Sequence, residues 1–477
     1  MTRSTPYALV ATIAMLAASC GSDKPAAQRA VDIDSQKTTD PATSSSPGAG
    51  RPGSGPAGDA SAGPSTGSPA SVRGLIPSRG QGVTDKEIQI GIVDQGNIQA
   101  AFGNYFGFDT GPAYTDRQKG EALVKWVNDH GGIAGRKVKP VWSHYDPNQE
   151  SLDEDLATRC AAFTQDSHVF VTIPFGIGWE CYSKRRLVAL DGIVAQFHQR
   201  EYEKASAYMY SVYGMTTDRV ARTVVQGLAD AGFFKGGKIG LIYFDWPGWK
   251  AAVPDLEAAL KSRGLKLTDK VEIIRYGDAA TLGQASSAAA NAVLRFRSKQ
   301  IDRVLFFDAT FLGPGMFMQQ AENQGYRPRY GMHSGFSLDA IINDPQPGLT
   351  PPVSQLSGSM AVGWIPVGDV GKRAAVSDGR ALCRSIMKSA NVYANDEPIG
   401  MCETLFLLKA ALERADEVSV AGLQRSIESL GDSYGPRIGW GTLFGPKRHA
   451  GGSAYRTLKF VDGCKCYEYV GGVKSAP

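Results

Sequence analysis

The 477-residue sequence lacks any run of about eighteen apolar residues, so no segment is long enough to stand permanently across a bilayer as a helix. It also lacks a dominant charge: 51 Lys and Arg face 47 Asp and Glu, for a net charge of +4. No basic stripe with interleaved aromatics occurs, which removes nucleic acid from the expected partners. Histidine is scarce, six in all, with no paired spacing and no Cys-x-x-Cys, so the usual zinc patterns are missing and no metal is expected. HExxH, Walker and dinucleotide motifs are absent, and with them the expectation of a cofactor. The nearest approach to a nucleophile turn, Gly335-Phe-Ser-Leu-Asp339, fails at its last position. The acids Asp153, Glu154 and Asp155 read as a solvated helix face. These absences point away from an enzyme.

What is present begins with an address. Arg3 supplies a positive start, Tyr7 to Ala18 form a short apolar core, and small residues Ala17, Ala18 and Ser19 precede Cys20. A core of this length is a secretory signal and not a membrane helix. A cysteine directly after small residues resembles a bacterial lipobox, in which that cysteine becomes the lipidated first residue; Ala17 stands where leucine is usual. Residues 1–19 are thus expected as signal peptide, with Cys20 as lipid anchor. From Gly21 to about Gly82 the chain is mostly Gly, Ser, Pro, Ala and Thr. Such a segment cannot bury enough surface to offset its ordering entropy and reads as a disordered tether spanning 20–82.

Removing Cys20 leaves six cysteines, an even number in an exported chain, which suggests disulfides among fifteen possible connectivities. Pairing by proximity gives Cys160–Cys181, Cys383–Cys402 and Cys464–Cys466, the last a tight Cys-x-Cys loop and the least secure of the three.

The folded part is expected from about Val83 to 472. Glu87 to Val93 reads as a buried strand. Thr115-Asp-Arg-Gln118 has the form of a capping box, Ala122, Leu123, Trp126 and Val127 share a helical face, and Gly131-Gly132 end that helix. Lys137 to Trp142 predicts a strand, Leu152 to Phe163 a helix, Val169 to Ile173 a strand, Lys184 to Leu190 a short helix and Ile193 to Phe197 a strand. The alternation resumes: helices at Arg219–Ala231, Val253–Arg263, Ala280–Arg297 and Met316–Gln324, and strands at Lys238–Phe244, Lys270–Ile274 and Asp302–Phe307. Ala374–Ala390, Glu397–Arg414 and Val420–Leu430 read as helices, followed by short strands near Thr457–Val461 and Tyr467–Val470. Strand and helix in strict alternation argue for an α/β fold of βαβ units and parallel sheets, and so many units divide naturally into two doubly wound lobes.

Thr84-Asp-Lys-Glu-Ile-Gln-Ile-Gly91, then Val127-Asn-Asp-His-Gly-Gly-Ile-Ala-Gly-Arg-Lys-Val138 and Tyr145-Asp146, together resemble the branched-chain amino-acid (leucine-binding-like) solute-binding proteins of ABC importers, the type I periplasmic binding proteins, in a lipoprotein form. The resemblance runs from about Thr84 to Val470 and is specific only at its start. It implies a clamshell of two parallel-sheet lobes joined by three crossovers, placed near Ser211–Gly214, Ala361–Val367 and Arg437–Thr442. Lobe one would take about 84–211 and 365–438, lobe two about 214–362 and 442–470. It further implies a monomer that binds a small molecule between the lobes and presents it to an ABC permease on the outer face of the cell membrane, attached there by lipid only. The other role open to such a chain is ligand sensing with a membrane partner.

Ligands of open α/β lobes lie at the carboxyl ends of strands, which makes four loops candidates. Gly178, Trp179 and Glu180 stand where the family's amino-acid binders carry a serine-rich run for the ligand carboxylate; the other reading is that Trp179 packs and Glu180 caps a helix. His198 and Gln199 replace small residues of those binders, against the reading of His198 as a structural hydrogen-bonder. Asp245, Trp246 and Trp249 follow the third strand end, where an aromatic wall over a ligand and packing within the lobe compete. Asp308 and Thr310 follow the fourth, with Ser334 near the next strand end. Tyr105 and Phe106 after the first strand, and Tyr213 beside the first crossing, complete the set; Tyr213 also reads as a hinge residue. These departures argue against a plain aliphatic amino acid as ligand.

Overall fold

The computed structural model describes residues 76–94, 116–144, 152–173, 179–191, 199, 202, 208–274, 279–308, 312–336, 338–343, 350–392, 398–435 and 439–477. Cys20, the signal segment and the tether up to residue 75 lie outside these, as do Tyr105, Phe106, Gly178, His198, Thr310 and the strand expected at Ile193 to Phe197.

In chain order the first elements are β1 (Glu87–Asp94), α1 (Asp116–Asp129), β2 (Lys137–His144), α2 (Leu152–Ala161), a π-turn at Ala162–Asp166, β3 (Val171–Ile173), α3 (Trp179–Arg185), β4 (Val188–Asp191) and β5 (Met209–Ser211). Their strands form a five-stranded sheet in the order β2-β1-β3-β4-β5, parallel throughout. Strands β3 and β4 are buried at every position, as strands covered on both faces must be.

A second run follows: α4 (Thr217–Asp230), β6 (Ile239–Phe244), α5 (Pro247–Ala251), α6 (Val253–Ser262), β7 (Leu267–Ile273), α7 (Ala279–Ser298), β8 (Arg303–Phe307), α8 (Leu312–Asn323), β9 (Arg329–His333), α9 (Leu338–Asn343), β10 (Met360–Gly363) and α10 (Pro366–Val370). The chain then adds α11 (Asp378–Ser389), α12 (Ile399–Leu412) and α13 (Val420–Leu430), and closes with β11 (Ala454–Val461) and β12 (Cys466–Ser475). The second sheet has seven strands in the order β12-β11-β10-β9-β8-β6-β7. It is parallel from β7 to β10, and its last two strands are antiparallel. Helix α12 is apolar nearly all round and buried on nearly every side, so it is a core helix in which amphipathic periodicity carries no information.

Two expectations change. A helix over Lys184–Leu190 is replaced by a helix that stops at Arg185 and a strand from Val188. Arg186 adopts a left-handed φ of 52°, which ends the helix, and Val188-Ala-Leu-Asp pairs with β3 and β5. The ordered body also begins before Val83. Val418 donates to Pro77 O and accepts from Arg79 N.

The glycine-rich motif shows its physics here. Gly132 has φ +72°, and a Cβ there would lie 1.9 Å from the Arg136 carbonyl oxygen, so only glycine allows the chain to turn back between α1 and β2. Asn128 clasps the same turn, accepting from Val138 N at 2.7 Å and donating to Val138 O at 2.9 Å. The wholly buried Arg136 guanidinium donates to the carbonyls of Thr84, Ala134 and Ile76. It ties the segment before β1 to the turn after α1. The motif therefore organises the fold and not a ligand.

Candidate functional site

Because β6, β8, β9 and β10 are parallel and in register, with Tyr243 opposite Phe307 and His333 opposite Val362, their carboxyl ends share one sheet edge. Trp246, Trp249, Asp308, His333, Ser334 and Trp364 all gather there. Pro247 opens α5 directly after β6, which turns Trp249 back over the strand ends. The Trp249 indole stacks on the His333 imidazole at 5.2 Å and 5° and meets Phe307 edge-on at 4.8 Å. Phe336 stacks on His333 at 4.1 Å, and Trp364 lies at 5.7 Å. The result is an aromatic block around one buried histidine.

Gly335 N–H donates to His333 Nδ1 at 3.1 Å, which places the ring hydrogen of the neutral tautomer on Nε2. Burial depresses the His333 pKa to about 3, so the ring is uncharged at physiological pH. Its Nε2–H and the Trp249 Nε1–H are both buried, and neither has a hydrogen-bond partner among the described residues. A buried donor left unmatched costs roughly 1–3 kcal/mol. Two such donors fall in one aromatic block.

Ser334 is otherwise engaged. Its hydroxyl donates to Asp369 Oδ1 at 2.7 Å and accepts from Trp364 N and Ile365 N at 2.6 and 3.2 Å. One donor and two lone pairs are thereby used, so Ser334 pins β9 to the segment leaving β10. Tyr469 donates its hydroxyl to Asp369 Oδ2 at 2.8 Å, which brings β12 into the same knot. Burial pushes the Asp369 carboxyl up to about 7, against its hydrogen bonds to Ser334 and Tyr469.

Asp245 sits half-exposed at the rim, 3.0 Å from Lys250, which also reaches Glu272 at 2.8 Å. It is part of a surface charge cluster. Asp308 is wholly buried beside Phe244, and Gly313 is what permits its approach: a Cβ there would lie 2.3 Å from Asp308 Oδ2. Trp179 and Glu180 are the first two residues of α3. Gln199 donates from Nε2 to Lys447 O at 2.7 Å, and its backbone N–H donates to Asp218 at 2.9 Å. It joins two chain segments.

Tyr213 is buried where the chain leaves the first sheet. Burial first, then the nearby carboxylates Asp191 and Glu403, drive its hydroxyl pKa well above the ordinary value. Asp191 ends β4 and is itself buried, and Glu403 on α12 accepts from the Tyr434 hydroxyl at 2.7 Å. Sequence reading passed over Asp191, His333, Trp364, Asp369 and Glu403. The strand-terminal aspartates Asp191 and Asp308, each closing an apolar run, carry a visible signal; His333 closes the strand whose end was read beside Ser334.

The family model described as periplasmic binding protein matches residues 116–464. The chain belongs to that family. Among solved structures it is similar to a substrate-binding protein of an ABC transporter from Desulfitobacterium hafniense in complex with Leu. That match has 18% identity and TM-score 0.53, covering 81% of this chain and all of the other. It is similar to a solute-binding protein from Rhodopseudomonas palustris BisB5 in complex with 3,4-dihydroxybenzoic acid, at 14% identity and TM-score 0.55, covering 82% and 98%. It also resembles a branched-chain amino-acid ABC transporter protein from Thermus thermophilus with bound valine, at 15% identity and TM-score 0.54, covering 83% and 97%. At such identities the likeness is one of fold, and the fold is the type I clamshell that the opening motif implied. No curated protein sequence matches the chain. No helix among the described residues is long and apolar enough to cross a membrane. The three expected disulfides are present.

Proposed function

We propose that this binding protein captures a small solute with a planar apolar body and a hydrogen-bond acceptor, and delivers it to an ABC permease. Amino-acid, amide and aromatic solutes fall within that description, with aromatic acids best suited. The carrying observation is the pair of buried, unmatched donors, Trp249 Nε1–H and His333 Nε2–H, set among aromatic faces at the carboxyl edge of the second sheet. An acceptor placed there would satisfy both, and the flat ring faces would hold a planar group by stacking. Binding would favour the closed clamshell through its differential affinity for that state. That relatives of this fold hold both aliphatic amino acids and a dihydroxybenzoate is consistent with specificity being set by such side chains rather than by the backbone. Cys20 would anchor the chain by lipid, with the Gly/Ser/Pro-rich stretch as tether.

The test is a thermal-shift screen of the full chain against amino acids, amides, aromatic carboxylates and sugars. A ligand at 100 times its dissociation constant stabilises the bound form by roughly 2.7 kcal/mol, on the order of several degrees for a domain of this size. Aromatic acids are expected to give the largest shift. A shift confined to sugars, which have no planar apolar body, would overturn the reading.

A further inference from the structure

The three disulfides differ in what they close. Cys160–Cys181 joins α2 to α3 and Cys383–Cys402 joins α11 to α12, at sequence separations of 21 and 19. Closing loops of that size removes appreciable freedom from the unfolded chain. Cys464–Cys466 has a separation of 2 and removes almost none. Its hairpin is held without it, because β11 and β12 pair from Val461↔Cys466 outward along their length. A bond that adds so little to folding is free to do something else.

Its two sulfurs are unlike. Cys464 is exposed at the turn, whereas Cys466 is buried. Cys464 Sγ lies 3.9 Å from a carboxylate oxygen of Glu468, while Arg373 Nη1 approaches Cys466 Sγ to 3.0 Å and also donates to Tyr467 O at 3.0 Å. A guanidinium beside Cys466 favours negative charge on that sulfur, and a carboxylate beside Cys464 disfavours it there. The accessible sulfur is thus the one an incoming thiolate can reach, and the other is the better leaving group.

We propose that Cys464–Cys466 is a thiol-exchange site, entered at Cys464 with Cys466 as the leaving thiolate. The substrate class is a small thiol or dithiol. Its thiolate sulfur bonds to Cys464 Sγ, the Sγ–Sγ bond breaks, and the electron pair goes to Cys466 beside Arg373. A second thiolate then attacks the incoming sulfur and releases the exogenous disulfide, leaving Cys464 reduced. In balance, two thiols are oxidised to one disulfide and the protein disulfide gains two electrons. This stands apart from the solute-binding reading and does not depend on it.

The native full chain is treated with millimolar β-mercaptoethanol, quenched with iodoacetamide and mapped by peptide mass spectrometry. Expected first is a species with the mercaptoethanol adduct on Cys464 and the alkyl group on Cys466, while the four cysteines of the other two disulfides stay unlabelled. Opening of all three pairs together, or an adduct on Cys466 with alkylated Cys464, would overturn the proposal. Arg373→Gln is expected to slow opening roughly threefold to fivefold, the effect of about one unit in leaving-thiol pKa, and Arg373→Lys to recover part of the rate. An unchanged rate in Arg373→Gln removes its role and overturns the assignment of the leaving group. The double variant Cys464→Ser/Cys466→Ser is expected to melt within a few degrees of the parent; unfolding would show the bond to be structural and refute the proposal.

Discussion

His333 and Asp369 make opposite demands on the pH dependence of stability, and replacing either one separates them. His333 titrates at about 3 in the folded chain against 6.5 when unperturbed. Between those values the unfolded state holds a proton that the folded state does not, so stability falls as pH falls. Asp369 titrates at about 7 when folded against 3.8. Between those values the folded state holds the extra proton, so stability falls as pH rises. Each contributes a slope of about 1.4 kcal/mol per pH unit, and between pH 3.8 and 6.5 the two slopes cancel. Relative to the parent, Asp369→Asn is expected to gain stability with rising pH across this window. His333→Phe, which keeps a stacking ring, is expected to lose it. Across pH 4.5 to 6.5 the divergence of each from the parent is on the order of 2–3 kcal/mol. Urea unfolding of all three proteins at pH 4.5, 5.5 and 6.5, followed by tryptophan fluorescence with the m-value checked for constancy, reads it directly. Three parallel curves would refute the reasoning.

Other outcomes follow from single positions. Gly132→Ala places a Cβ against the Arg136 carbonyl at a φ of +72° and should lower stability by more than about 1 kcal/mol, visible as a depressed melting temperature. Removing the Cys383–Cys402 bridge by double alanine substitution frees a loop closed at a separation of 19. It should cost about 3 kcal/mol in urea unfolding, whereas reduction of Cys464–Cys466 should be nearly neutral.

The alternation of strand and helix was readable because the buried parallel strands carry apolar runs, as in Ile239–Phe244 and Val304 to Phe307, and because Gly131-Gly132 punctuate the first turn. Two strands of the second sheet were not readable along their length. Arg329–His333 begins with charge and ends in a histidine, and Met360–Gly363 is four residues long, so tertiary pairing and not local pattern makes them strands. Reading only the end of β9 hid His333, and with it the centre of the aromatic block. Trp246 and Trp249 were readable as a choice between wall and packing; both are buried, and Trp249 packs against the rings of His333 and Phe307. The hydrogen bonds of Ser334 were not readable, because its partners, Asp369 and the Trp364 and Ile365 amides, lie about thirty residues away, a distance that no local motif spans.

The central claim is that Trp249 and His333 present donors to the solute's acceptor. Isothermal titration of the parent, Trp249→Phe and His333→Phe with the aromatic carboxylate that gives the largest thermal shift tests it most directly. Each variant keeps a ring and loses one N–H, so the account expects one-to-one binding weakened roughly fivefold to thirtyfold, the equivalent of about 1–2 kcal/mol per hydrogen bond. Parent-like affinity in both variants would contradict it and place the solute elsewhere.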